Sequence, residues 1–193
     1  EDTLREQIYF FKHKQYRHKS FAEVASDVYF NDEYMDRYMY GLVITSFFWP
    51  NHLAMGRFFK KHLPANKRGN YLEVGPGHGL YLLSAMQRGN FDDYLAVDIS
   101  ATSVRQTRSI VEHFAPELSD SFRIELRDFL AADTLEAGSK DAIVMGEVLE
   151  HVEEPERFLQ RTCELAAPDA FIYVTTCINA PAVDHIYLWR NTD

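Results

Sequence analysis

The sequence predicts an α/β fold in which a doubly wound, mostly parallel β-sheet follows an N-terminal helical segment. After Asn70, short apolar runs alternate with helical stretches, which is typical of a parallel sheet with crossover helices. Before that point, apolar residues recur at spacings of three and four, the period of an amphipathic helix. The chain of 193 residues, 46% hydrophobic and 25% charged, has the size and composition of one globular domain with an accessory segment.

The first part of the chain is predicted to be helical. Ile8, Phe11 and Tyr16 show the helical spacing of apolar residues. Asn31 has a side chain typical of a helix N-cap, and Pro50 marks a break that opens another helix. We therefore divide the chain into a helical lid or accessory segment, residues 1–69, and a sheet domain, residues 70–193.

Five strands are predicted from short runs rich in β-branched and aromatic residues. They cover residues 71–74, 94–97, 122–126, 142–145 and 171–175, with helices at 102–114 and 154–166 among the connections. Because crossovers between parallel strands are right-handed, a doubly wound sheet is the economical topology. Ligands bind such sheets beyond the carboxyl ends of the strands, so the residues that follow each strand are the candidates for function.

Charge and cysteine content limit the classes of partner. Twenty Lys and Arg residues against 29 Asp and Glu give a formal net charge of −9, which disfavours nucleic-acid binding. No apolar run approaches the ~20 residues of a membrane-spanning helix, and the first residues lack the layout of a signal peptide. Cys163 and Cys177 form no disulfide framework, as in proteins of a reducing compartment. These observations predict a cytoplasmic protein with a small-molecule substrate and no membrane partner, and they leave a homo-oligomer open.

A glycine-rich turn follows the first strand. Gly75, Gly77 and Gly79 allow the backbone to turn tightly and to approach a ligand closely. The dinucleotide motif G-x-G-x-x-G would need glycine at the position of Leu80, so binding of a nicotinamide dinucleotide is disfavoured. Asp98 ends the second strand, where an acidic side chain can accept both hydrogen bonds of a ribose diol.

Over about residues 71–176, the sequence resembles the class I S-adenosylmethionine-dependent methyltransferases. The resemblance lies in an apolar strand, the pattern E-x-G-x-G-x-G that follows it, and an acid after the second strand. The resemblance implies a Rossmann-like domain with S-adenosylmethionine as the cofactor. The backbone from Gly75 to Gly79 would line its methionine part, and Glu73 would hold loop amides or, through water, its ammonium group. Asp98 would bind the ribose, and Ile99 would pack on adenine. From the residues alone, Asp98 could instead cap the helix that follows.

The same resemblance extends to the end of the third strand. There the family has an acid that accepts the adenine amino group and an apolar residue whose main-chain amide meets the ring. Asp128 and Phe129 match these positions, so both are expected in the cofactor site. Without the family, Asp128 is an ordinary loop residue at a strand end.

The fourth strand leads into residues 145–151, which read MGEVLEH. This segment should border the transferred methyl group, with Gly146 and Glu147 close to the methionine end of the cofactor. Methyl transfer from a sulfonium is an in-line displacement, so the protein must align donor and acceptor and deal with the proton of the acceptor.

Three polar residues of this segment are candidates for that chemistry. If a helix begins here, Glu147, Glu150 and His151 stand on one face. The loop after the fifth strand offers His185 or Asp184 as a further ligand. Together these residue types would make a divalent-metal site.

The pattern E-x-x-E-H at this place resembles the ubiquinone-biosynthesis O-methyltransferases and the small-RNA 3′-terminal 2′-O-methyltransferases. The resemblance implies a divalent cation, Mg²⁺, Mn²⁺ or Zn²⁺, that lowers the pKa of an acceptor hydroxyl, with His151 as a ligand. Two other interpretations stay open. His151 could be the catalytic general base, or Glu147 and Glu150 could favour a helix start while His151 only packs.

The expected function is methyl transfer from S-adenosylmethionine to a hydroxyl oxygen of a small-molecule acceptor. One alternative is metal-dependent RNA 3′-terminal 2′-O-methylation, which needs a basic groove that the acidic composition disfavours. A second alternative is a noncatalytic protein that binds the cofactor or a partner.

Further expectations concern the edges of the site. Asn179 and His185, after the fifth strand, are candidates for substrate contact. The N-terminal segment is rich in aromatic residues, which would either cover the site as a lid or form the core of a helical layer. These residues are Tyr29, Tyr34, Tyr38, Tyr40, Phe47, Phe48 and Trp49. The family's sheet has seven strands and only five are predicted here before Asp193, so two C-terminal strands are expected to be missing.

Overall fold

The computed structural model describes residues 2–88, 91–131 and 135–191, and it contains a five-stranded parallel sheet. The strands are β1 (Asn70–Val74), β2 (Asp93–Asp98), β3 (Phe122–Leu126), β4 (Lys140–Gly146) and β5 (Ala166–Thr175). Their order in the sheet is β3-β2-β1-β4-β5. The predicted doubly wound α/β fold is confirmed, and β5 lies at one edge of the sheet.

Seven α-helices flank or precede the strands in the described part of the chain. They are α1 (Asp2–His13), α2 (Phe21–Val24), α3 (Asp32–Phe48), α4 (Pro50–His62), α5 (Leu80–Arg88), α6 (Ala101–Phe114) and α7 (Pro155–Leu165). A π-helical turn, Ala25–Tyr29, continues α2, and 3₁₀ turns cover Pro116–Leu118 and Leu149–His151. None of these helices is both long and apolar enough to cross a bilayer.

Helices cover both faces of the sheet. Tyr71 and Leu72 are consecutive in β1 and point to opposite faces, yet both are fully buried. Tyr71 packs with Phe59 of α4 and with residues of α5 and α6, whereas Leu72 packs with Leu165 of α7. The chain runs from β1 outward to β3 and then returns to β4 on the other side of β1. This change of direction places a ligand crevice at the carboxyl ends of β1 and β4.

The N-terminal helices, α1 to α4, begin as the sequence predicts. The side chain of Asn31 accepts a hydrogen bond from the Tyr34 amide, so it caps α3 as expected, and Pro50 occupies the first turn of α4. Asp32 of α3 accepts a hydrogen bond from Thr102 of α6. α3 is therefore fastened to the sheet domain near its start.

The beginning of β5 differs from the prediction, which placed it at residues 171–175. The strand begins at Ala166, directly after α7, and contains an irregularity opposite Lys140 and Ala142 of β4. Asp169 within it has φ of 61°. The sequence Ala-Pro-Asp-Ala has the composition of a turn, and only pairing with β4 makes it part of a strand.

Candidate functional site

A cavity of about 1140 Å³ lies between the carboxyl ends of the strands and the N-terminal helices. Its walls come from the glycine turn, the ends of β2 and β4, helices α3 and α4, and the loop after β5. Pockets for one drug-sized ligand measure ~300–1,000 Å³, so this cavity can hold a cofactor and a second molecule.

The glycine turn presents bare backbone to this cavity. Gly77 has φ of 51°, and a Cβ atom built there would meet only Met39 Cε of α3, at 4.0 Å. Gly75, with φ of 61°, is constrained by packing instead, since a Cβ atom there would lie 2.8 Å from Val148. A side chain at position 77 would occupy the space in which a ligand can approach the backbone.

Glu73 lies behind the cavity wall, within the sheet. It is fully buried, does not line the cavity, and accepts a hydrogen bond of 2.5 Å from the hydroxyl of Tyr71. Burial raises its pKa to about 8. The amide of Gly77 is bound by Asp98, and a contact of Glu73 with the other loop amides stays a prediction.

Asp98 lies at the cavity wall with a carboxylate that already has partners. Oδ1 accepts from the Ser100 amide at 2.8 Å and Oδ2 from the Ser103 hydroxyl at 2.5 Å. Burial raises the pKa of Asp98 and these hydrogen bonds oppose the increase. Asp98 therefore orders the start of α6, although Ser100 is the residue that caps this helix, and the ribose contact of Asp98 stays a prediction.

The other expected cofactor residues also line the cavity. Ile99 is one-third exposed, and Asp128 is exposed with one oxygen bound to the amide of Leu130. The ring of Phe129 is buried against Phe158, so only its backbone is free to meet a ligand. Gly146 leaves room for Tyr81, whose ring would lie 2.6 Å from a Cβ atom at position 146.

The helix that would align the E-x-x-E-H residues does not form. Glu147 has φ of 55° and its amide bonds to the carbonyl of Thr175, which ends β4 against β5. Only a single 3₁₀ turn, Leu149–His151, follows. The buried Oε1 of Glu147 has no hydrogen-bond partner among the described residues. Burial and the nearby Glu150 raise its pKa to about 7.

Asp184 joins the N-terminal helices to this 3₁₀ turn. Its Oδ2 accepts hydrogen bonds from the hydroxyls of Tyr29 and Tyr38, both at 2.9 Å, and lies 3.1 Å from Nδ1 of His151. The side chain is completely buried, and Oδ1 has no hydrogen-bond partner in the described chain. Although burial raises the pKa of Asp184, His151 holds it below its usual range.

The surroundings of His151 favour its charged form. Burial lowers its pKa, but the carboxylates of Asp184 and Glu150 raise it to about 10. Without a bound cation, His151 is therefore protonated at neutral pH, whereas a general base must begin unprotonated. The charged form is unfavourable for a general base, and the role of His151 as the base stays a prediction.

Two groups of side chains have ligand atoms within 4.8 Å of one another among the described residues. One is Glu150, Cys177 and His185, and the other is His151, Asp184 and His185. Three of the four predicted metal ligands occur in these groups, with Glu150 and His151 in different groups and His185 in both, whereas Glu147 is in neither. Cys177 was not predicted as a ligand, because an isolated cysteine carries no local signal for metal binding.

The two candidates in the loop after β5, His185 and Asn179, differ in their position relative to the cavity. His185 is buried and lines the cavity. Asn179 is exposed and outside the cavity lining, and its side-chain amide donates to the carbonyl of Arg190. Asn179 has φ of 51° and binds within its own loop, and its contact with substrate stays a prediction.

The N-terminal helices supply groups that sequence reasoning missed. Thr45 of α3 bonds to His52 of α4 at 3.1 Å, and Ser46 bonds to His78 of the glycine turn at 3.0 Å. Of the aromatic residues, four line the cavity, whereas Tyr40 and Phe48 are exposed. The four are Tyr29, Tyr38, Phe47 and Trp49.

Comparisons with known proteins agree with this geometry. A family model described as a methyltransferase domain matches residues 51–191. Ubiquinone biosynthesis O-methyltransferase of Xanthomonas axonopodis pv. citri (strain 306) is 29% identical over 119 residues, which are 62% of this chain and 46% of that protein. The chain therefore spans about half the length of this curated relative.

Solved methyltransferase structures share the fold. A SAM-dependent methyltransferase from Aquifex aeolicus matches with a TM-score of 0.54 and 18% identity, over 74% of this chain and 71% of that one. The N-methyltransferase NodS from Bradyrhizobium japonicum WM9, solved with S-adenosyl-L-homocysteine, matches with a TM-score of 0.53 and 16% identity, over 64% and 60% of the chains. From its matched domain, its parallel sheet and its glycine turn, the chain belongs to the class I S-adenosylmethionine-dependent methyltransferases.

Proposed function

We propose that this protein transfers the methyl group of S-adenosylmethionine to a hydroxyl oxygen of a small-molecule acceptor, with a divalent cation at the acceptor side. The proposal rests on two overlapping groups of possible metal ligands, Glu150 with Cys177 and His185, and His151 with Asp184 and His185, which line the same cavity as the glycine turn. The sequence similarity to a relative named as an O-methyltransferase supports an oxygen acceptor. The size of the cavity is consistent with simultaneous binding of cofactor and acceptor.

The chemistry of the donor set fits a divalent cation. His151 directs Nδ1 at a carboxylate and His185 donates Nδ1–H to the carbonyl of Ala180, at 2.6 Å. Such outer hydrogen bonds typically orient metal-binding imidazoles, because they fix the ring and leave Nε2 as the donor atom. Glu150 is held in a similar way, since Thr176 donates to its Oε2 at 2.9 Å. A bound cation would lower the pKa of an acceptor hydroxyl.

The protein's own residues position the reactants. The bare backbone of the glycine turn and the wall formed by Asp98 and Ile99 would hold the cofactor, as the family resemblance implies. Tyr29 and Tyr38 close the acceptor end through their hydrogen bonds to Asp184. Their rings exclude water from that end of the cavity, which strengthens electrostatic interactions with the acceptor.

A calorimetric titration tests the cation. Mg²⁺, Mn²⁺ and Zn²⁺ are added separately to metal-stripped protein saturated with S-adenosylhomocysteine. We expect stoichiometric binding of at least one ion, with loss of at least ~10-fold in affinity in Glu150→Gln. Glu117→Gln changes an exposed carboxylate and serves as the matched control. Absence of binding, or equal binding by both variants, contradicts the cation.

An acceptor panel tests the reaction itself. Release of S-adenosylhomocysteine is measured with paired hydroxyl and amine compounds of similar shape. We expect turnover of hydroxyl compounds only. Turnover confined to the amines would contradict the oxygen acceptor while leaving the methyltransferase assignment intact.

A further inference from the structure

Methylation of a hydroxyl releases a proton, and the cavity must contain a group that accepts it. His151 is held by two carboxylates that favour its charged form. We propose that Nε2 of His52, on helix α4, accepts the proton of the acceptor hydroxyl. This inference rests on the proposed function, and it adds a catalytic residue that the E-x-x-E-H pattern does not contain.

The contacts of Thr45 determine the tautomer of His52. The hydroxyl of Thr45 has one proton, which it donates to the carbonyl of Leu42 at 2.9 Å. The same oxygen lies 3.1 Å from Nδ1 of His52, so it must accept a hydrogen bond there. Nδ1 therefore carries the proton in neutral His52, and Nε2 has a free lone pair.

His78 shows the opposite arrangement in the adjacent position. Its Nδ1 accepts from the amide of Leu80 at 3.2 Å, so its Nε2–H donates to Ser46 at 3.0 Å. Ser46 in turn donates to the carbonyl of Leu42 at 2.9 Å. Both nitrogens of His78 are thus engaged within the protein. Nε2 of His52, by contrast, has no hydrogen-bond partner among the described residues.

The surroundings of His52 suit a base that begins neutral. It lines the same cavity as the glycine turn, the end of β4 and Glu150, and its ring centroid lies 5.2 Å from that of Trp49. Burial lowers its pKa, and Glu150 opposes this effect without reversing it. The side chain is only partly buried, so a proton can pass from it to solvent.

The step balances without another reactant. The O–H bond of the acceptor breaks and its proton passes to Nε2 of His52. An electron pair on oxygen forms the bond to the methyl carbon, while the methyl–sulfur bond breaks and its pair stays on sulfur. The products are the methyl ether, neutral S-adenosylhomocysteine and the imidazolium of His52, which returns its proton to water.

The first measurement detects proton transfer without turnover. Histidine-labelled protein with bound S-adenosylhomocysteine receives 4-nitrocatechol at mildly acidic pH, where the free probe keeps its proton, and in the presence of EDTA so that no cation ionises it. NMR of His52 should show the Nδ1–H tautomer before addition and the imidazolium afterwards, together with the absorbance of bound nitrocatecholate. His52→Gln should abolish that absorbance, whereas His62→Gln, which changes an exposed histidine of the same helix, should retain it.

The second measurement compares two acceptors in methyl transfer. Catechol keeps its proton at neutral pH, whereas 4-nitrocatechol is largely ionised at mildly alkaline pH. His52→Gln should lower kcat/KM at least ~100-fold for catechol and much less for ionised nitrocatechol. Thr45→Val should cause part of the catechol loss and shift the pH profile, and Thr45→Ser, which keeps the hydroxyl, should restore both.

Each contrary outcome has a distinct meaning. Three results would overturn the role of His52 and leave the hydroxyl acceptor standing. They are an Nε2–H tautomer, nitrocatecholate absorbance that persists in His52→Gln, and an equal loss of kcat/KM with both acceptors. Failure of both catechols to react in the presence of the divalent cation contradicts the proposed hydroxyl site, and the assignment of His52 falls with it.

Discussion

Replacement of Asp184 by Asn should destabilise the protein strongly, because it removes the charge on which three donors converge. Tyr29, Tyr38 and His151 all direct a polar hydrogen at Oδ2 of this fully buried side chain. In Asp184→Asn, the charged imidazole of His151 loses its nearest carboxylate. Breaking a buried pair by removing one partner costs ~3–5 kcal/mol. For a chain of this size, that loss corresponds to a fall of ~6–20 °C in Tm.

The assay is urea unfolding followed by circular dichroism at about pH 6, with EDTA present. Tyr38→Phe is the matched control, because it removes one hydrogen bond to the carboxylate and keeps the charge, at a cost of ~1.5–3 kcal/mol. An unchanged m-value would show that both variants unfold from a comparably compact state. A loss below ~1 kcal/mol for Asp184→Asn would refute the reasoning that a charged pair is buried here.

The pH dependence of this loss follows from the two pKa shifts. The folded-state pKa of His151 is raised from 6.5 to about 10, so its contribution is complete below pH 6.5 and is lost as the pH rises to about 10. The folded-state pKa of Asp184 is lowered from 3.8, so its contribution is present above pH 3.8 and is lost in stronger acid. The difference between wild type and Asp184→Asn should therefore be largest between pH 3.8 and 6.5 and should decrease towards pH 10, where the hydrogen bonds from Tyr29 and Tyr38 to Asp184 remain.

Three further predictions concern the cofactor side of the site. The raised pKa of Glu73 stabilises the fold at low pH, and this contribution is lost as the pH rises to about 8. Glu73→Gln should therefore remove a slope of up to ~1.4 kcal/mol per pH unit from the unfolding free energy between pH 4.5 and 8. Urea unfolding across that range measures the slope, and parallel curves for both proteins would contradict the prediction. Asp98→Asn should weaken S-adenosylhomocysteine binding by ~1–3 kcal/mol in calorimetry, since a charge-assisted acceptor for the ribose is lost. Ser103→Ala is the control for Asp98→Asn, because it removes one hydrogen-bond partner of the Asp98 carboxylate and keeps the charge. Equal affinities of Asp98→Asn and wild type for S-adenosylhomocysteine would exclude the ribose contact. Gly77→Val should abolish S-adenosylhomocysteine binding in a chain that still folds, because the valine side chain would enter the cavity and the residue has φ of 51°. Retained affinity in a folded variant would show that the cofactor lies elsewhere.

Local patterns were sufficient for most of the sheet and for the glycine turn. β3 has the predicted bounds, and β1, β2 and β4 begin or end within about two residues of their predicted positions. Apolar runs and glycine spacing are properties of a few consecutive residues, so they can be read without the fold. The cap of α3 by Asn31 is equally local, since the side chain binds an amide three residues away.

The acceptor side depends on contacts that no local pattern contains. Glu147 has a left-handed backbone because its amide pairs with Thr175 of β5, and this pairing prevents the helix that the E-x-x-E-H spacing suggests. Asp184 meets tyrosines about 150 positions earlier in the chain. His52 obtains its tautomer from a threonine on another helix.

The sequence by itself therefore determined the fold class, the cofactor turn and the identity of the polar residues after β4 and β5. Tertiary structure decided which of these residues meet, which carries a proton and which is only structural. The physical reason is that protonation and ligand geometry depend on burial and on partners brought together by packing, whereas strands and turns depend mainly on neighbours in the chain.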